Sequence, residues 1–105
     1  MAWVYLVAAG IFEIGWAVAL KYTEGFSRLW PTALFAVSML LSVWLLAVAL
    51  KTIPVGTGYA IWTGIGAAGT AIFGVILFGE SRDGWRVFGI VLIIMGIVSL
   101  KLSSS

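Results

Sequence analysis

One carboxylate stands apart in this 105-residue chain. Glu13 lies inside an apolar run, Trp3 to Leu20, that holds no other charged residue. An acidic side chain at the centre of a membrane-spanning helix costs about 2.5–3.5 kcal/mol on insertion scales, and such groups mark ion pathways or proton relays. No Lys, Arg or His lies within another apolar run to neutralise it. The plain reading is a protonated Glu bonded to a neighbouring helix. The sharper one is a group that exchanges a proton for a cation, since a carboxylate attracts a cation and a neutral acid does not.

The helical neighbours of Glu13 at three, four and seven residues are Leu6, Ala9, Gly10, Trp16, Ala17 and Leu20. Small residues allow close helix approach, and Trp16 brings an indole N–H one turn away. Tyr59, Trp62, Thr63 and Gly66 share a face of a later run. Aromatic faces attract cations, and Tyr and Trp also donate hydrogen bonds; core packing and interfacial anchoring are their plainer uses. Beside them Ala60, Gly64, Ala67, Ala71 and Gly74 form a small-residue stripe that predicts close helix packing. Gly64 and Gly66, two apart in mid-run, weaken the helix locally and predict a kink. Ser38 and Ser42 are four apart in another run. Such hydroxyls commonly bond back to their own helix, and Ser42 is the candidate for orienting Glu13 or a ligand. Gly89, Ile93, Gly96 and Leu100 share the last face, where Gly at this spacing points to a dimer contact or to packing inside one chain.

These residues need helices to position them. The chain is 63% hydrophobic and 10% charged, against roughly 45–50% and 25% in soluble domains. A chain this short buries only roughly 60–70% of its surface on folding, too little to hide that excess. A bilayer core of about 30 Å takes roughly 20 apolar residues in a helix. The runs predict an all-α membrane protein, one domain over 1–105, with four transmembrane helices at about 3–21, 31–50, 55–78 and 85–102. The first run has no basic stretch before it and carries Glu13 in its middle, so it reads as a permanent span rather than a cleaved leader. Lys21, Lys51 and Lys101 follow Leu at helix ends, where a cation suits the helix dipole and reaches the headgroups. Trp3, Trp30 and Trp85 suit the aromatic belt.

With neither Cys nor His, thiolate nucleophiles, disulfides and most zinc sites are excluded. No catalytic residues, metal or cofactor are expected, and no basic tract invites nucleic acid. The basic residues divide as Lys51 and Lys101 on one side against Lys21, Arg28, Arg82 and Arg86 on the other. So small a bias predicts insertion in both orientations.

Over essentially its whole length the chain resembles the small multidrug resistance family. The resemblance rests on Gly10-Ile11-Phe12-Glu13, on Lys21 with Glu24 to Pro31, on Pro54 to Gly66 including Tyr59-Ala60-Ile61-Trp62, and on Gly89 to Ile97. Trp16 and Lys101 look like the guanidinium-exporter branch, also called SugE-like; the loop from Glu24 looks as much like the polyaromatic drug exporters. The resemblance implies a dual-topology, antiparallel homodimer in the bacterial inner membrane. It would exchange protons for guanidinium, with substituted guanidinium and quaternary ammonium cations as further candidates. Glu13 would be the shared site, surrounded by Trp16, Ser42, Tyr59 and Trp62. Gly64 and Gly66 would mark a helix kink, and Gly89 and Gly96 a dimer contact. The alternatives are a polyspecific drug–proton antiporter of the same family and, more remotely, a non-transporting assembly subunit.

Overall fold

Residues 1–103 are described by a computed structural model of the chain. They form α1 (Ala2–Tyr22), α2 (Leu29–Ala49), α3 (Val55–Phe78) and α4 (Gly84–Ser103). All four helices are long and apolar enough to cross a membrane. Their 20 to 24 residues span roughly 30–36 Å at 1.5 Å per residue.

Local chemistry sets the helix ends. Thr23 closes α1: its hydroxyl donates to the Leu20 carbonyl at 2.7 Å and accepts the Phe26 N–H at 3.2 Å. Pro31 falls inside the first turn of α2, where a missing N–H costs nothing. Pro54, in extended conformation, precedes α3. Gly79 ends α3 in the left-handed region at φ 64°, a conformation that suits a residue without Cβ. Asp83 then starts α4. Its carboxylate accepts the Arg86 N–H at 2.9 Å and the Ser81 hydroxyl at 2.9 Å. Those bonds, the backbone one foremost, hold the Asp83 carboxyl below its ordinary value.

The helices run alternately up and down, with α1 packed against both α2 and α3, and α4 against α3. Leu6 and Ala9 of α1, Leu46 and Ala49 of α2, Ile53 and Ile61 form the buried cluster, against which Ile97 and Leu100 of α4 also pack. At one end the Lys101 ammonium lies 4.5 Å over the Trp3 ring; at the other, Lys21 lies 5.5 Å over Phe78. Both contacts are cation–π.

The accessible surface is 6604 Å², against about 5,700 Å² for a soluble monomer of this mass. Large apolar side chains contribute to it: Trp30, Leu40, Trp44, Ile76 and Met95 are exposed. Among the described residues α4 has no buried one. A surface of this kind belongs against lipid or a second chain.

Candidate functional site

Between α1 and α3 lies a cavity of about 500 Å³. Glu13, Trp16 and Lys21 line it from α1; Thr63, Gly66, Thr70 and Gly74 line it from α3; Glu80 and Arg86 stand at its end. Glu13 is half-buried, and its Oε1 is buried without a hydrogen-bond partner among the described residues. Gly66 explains how it sits so close to α3: a Cβ at position 66 would overlap the Glu13 carboxylate. Trp16 Nε1 and Thr70 Oγ1 are likewise buried and unpartnered. With Arg86 Nε, also buried and unpartnered, the cavity gathers one acceptor that can carry charge and three donors with no partner among the described residues.

Trp16 is placed by its ring, which meets Phe35 of α2 edge-on at 5.8 Å. It shares the cavity with Glu13 but does not bond to it. Ser42 is fully buried, and its hydroxyl donates to the Ala9 carbonyl at 2.6 Å. The Trp62 indole N–H in turn donates to Ser42 Oγ at 2.9 Å. In α-helical register the Ala9 carbonyl is also the acceptor for the Glu13 N–H. Ser42 thus acts on the backbone beneath Glu13 rather than on its carboxylate, and it bonds across to α1 rather than back to its own helix. Tyr59 packs on Trp62 with ring centroids 5.5 Å apart and is itself exposed. Within one chain the sequence-expected residues therefore fall into two groups. Glu13, Trp16 and Gly66 share the cavity, while Ser42, Trp62 and Tyr59 form a chain that reaches α1 one turn away.

The glycines divide similarly. α3 runs unbroken through Gly64 and Gly66. A Cβ at Gly64 would press on Ile97 and Ile93 of α4, so this is where α4 approaches α3. Gly89 and Gly96 face open space, with nothing within 4 Å of a Cβ built there. The small-residue stripe is split: Gly64 serves helix packing, whereas Ala67, Ala71 and Gly74 line the cavity.

Sequence reasoning missed Thr70, Glu80 and Arg86. Thr70 was accessible to it, lying four residues after Gly66 and seven after Thr63 on the same helical face. Glu80 and Arg86 gave no such signal, because only the turn after Gly79 swings them back to the cavity. Arg86 Nη2 bonds Glu80 Oε1 at 2.5 Å and the Ala71 carbonyl at 3.2 Å.

Comparison with known proteins adds a family model described as Small Multidrug Resistance protein, which matches residues 1–93. The chain is 54% identical over 104 residues to the guanidinium exporter of Escherichia coli K12, covering 99% of each chain. It is 55% identical to the guanidinium exporter of Yersinia pestis and 53% identical to that of Proteus vulgaris, each over 104 residues, 99% of this chain and 100% of the relative.

Proposed function

The chain belongs to the small multidrug resistance family, and on that premise we propose that it exports guanidinium across the bacterial inner membrane in exchange for protons, with Glu13 as the shared site. The single observation that carries this reading is the Glu13 carboxyl group: buried on one oxygen, unpartnered, and pressed against Gly66 inside a membrane-depth cavity. The relatives' name, guanidinium exporter, supplies the substrate.

Guanidinium is planar and carries forked N–H donors that match a carboxylate through two parallel hydrogen bonds. The desolvated carboxylate binds it by charge. Protonation removes that charge and releases it, so proton arrival and cation departure compete for one group. Trp16, with its free indole N–H, orients the carboxylate by donating to it. Ser42 and Trp62 steady the α1 backbone below Glu13, and Tyr59 and Trp62, outside the cavity of a single chain, would offer aromatic faces to the cation in a dimer. Gly64 and Gly66 let α3 bend as the site changes sides. The cavity is larger than guanidinium itself, which leaves room for small substituted guanidinium cations.

The working unit in this reading is an antiparallel homodimer, joined in part through Gly89 and Gly96, that brings two Glu13 carboxyl groups to one site. Opposite orientation of identical chains makes the two access states equivalent by symmetry, as inverted repeats do in larger transporters. The test is proton flux from proteoliposomes on addition of guanidinium. Wild type is expected to couple the two, with cation binding tightening as pH rises. Glu13→Gln is expected to abolish coupling, and coupled exchange by that variant at wild-type rate would sink the mechanism.

A further inference from the structure

We propose that Glu80 is a second cation subsite, at the mouth of the Glu13 cavity, which takes guanidinium-type cations in exchange for the chain's own Arg86 guanidinium. This rests on the reading of the protein as a guanidinium exporter and extends it to the path the cation takes.

Glu80, Arg86 and Glu13 line the same cavity. Gly74 brings Glu80 there: a Cβ at position 74 would overlap the Glu80 carboxylate, as one at 66 would overlap Glu13. Two carboxylates are thus seated on side-chain-free steps of one helix. Gly66 and Gly74 are eight residues apart on the same face, a rise of about 12 Å. Thr70 lies midway, with its hydroxyl buried and unpartnered in that cavity. Acid, hydroxyl and acid follow one another along the wall at one-turn spacing.

The Glu80 carboxylate already holds a guanidinium, and holds it imperfectly. Arg86 reaches it through Nη2, which it also shares with the Ala71 carbonyl, while its buried Nε has no partner. A free guanidinium, unconstrained by a side-chain stem, can present the two-nitrogen fork that a carboxylate prefers. The free cation can therefore compete with the tethered one, as a loading step requires. Arg86 also solves a problem of charge. Lys21 stands at the same mouth over Phe78, so without Glu80 an arriving cation would meet two positive groups. Asp83 keeps Arg86 in place by capping the turn that carries it.

A purely structural ion pair predicts that losing either partner has the same effect. The subsite predicts opposite effects. Guanidinium-driven proton flux in proteoliposomes would be measured against cation concentration for wild type, Glu80→Gln and Arg86→Gln. Loss of one charge-assisted contact is expected to raise KM in Glu80→Gln by about tenfold, more than it lowers turnover at saturating cation. Arg86→Gln frees the carboxylate and is expected to lower KM. Proton release from detergent-solubilised protein on adding guanidinium checks that Glu13 still responds in each variant. If Glu80→Gln fails to insert, Arg86→Gln decides alone: a lower KM supports the subsite, and an unchanged or higher one overturns it. Wild-type exchange with both variants shifted in the same direction overturns the subsite and leaves the exporter reading standing. Absence of guanidinium exchange by wild type overturns the exporter reading, and the ligand assigned to Glu80 with it.

Discussion

At the scale of single residues, Gly66 matters as much as Glu13. The carboxylate occupies the space where a side chain at 66 would begin. Gly66→Ala should therefore displace Glu13 while keeping α3 helical, since Ala is the better helix former. Overpacking of this kind costs about 1–3 kcal/mol, which corresponds to roughly a 5- to 150-fold loss in cation affinity. Calorimetric titration with guanidinium would read the loss, and circular dichroism should show unchanged helix content. Glu13 itself was legible in the sequence because a lone carboxylate in an apolar run is costly enough to need a reason. Its contact with Gly66 was not, because periodicity says which face a glycine occupies and not what approaches it.

Between elements, the Ser42 hydroxyl holds three helices together. It donates to Ala9 of α1, accepts from Trp62 of α3, and belongs to α2. Ser42→Ala removes both bonds and leaves the Trp62 indole N–H and the Ala9 carbonyl each one partner short. An unsatisfied buried group costs about 1–3 kcal/mol, so the variant should melt at a lower temperature in detergent and shift Trp62 fluorescence. An unchanged melting temperature would mean that the bridge contributes little. The sequence marked Ser42 as a hydroxyl for its own helix, for Glu13 or for a ligand, and Trp62 as an aromatic face for a cation; it did not pair the two. The Ser42 bond goes instead to the backbone four residues before Glu13, because the rotation of α1 against α2 puts the Ala9 carbonyl, not the Glu13 side chain, opposite Ser42. The same limit applies to the turn after Gly79, whose left-handed glycine sends Glu80 back along α3.

Over the whole molecule, the outward face of α4 has no covering helix among the described residues of the chain, and the proposed dimer would cover it. α4 packs mainly on α3, has no buried residue among those described, and shows Gly89 and Gly96 to open space. Gly96→Leu should leave the isolated chain unstrained and even favour the helix by roughly 0.8 kcal/mol. If that face meets a second chain through close helix contact, the same change should dissociate the dimer and abolish exchange. Light scattering in detergent and cross-linking in membranes would read the outcome. An intact, active dimer would show that Gly96 faces lipid only.

What the sequence determined by itself follows from the bilayer. Spans must be about 20 apolar residues long, charges must leave them, and the one that stays must have a use. Composition therefore decided the number of helices, the short loops, the weak orientation bias and the choice of Glu13 as the candidate site. Only the tertiary structure decided which faces meet. A period of 3.6 residues names a face and leaves the rotation and partner of each helix open. Gly and Ala recur along α1 and α3 at several spacings, so several close approaches were available. The packing selected one in which Gly66 admits Glu13, Gly64 admits α4, Ser42 reaches Ala9, and Gly74 seats Glu80 against Arg86 at the cavity mouth.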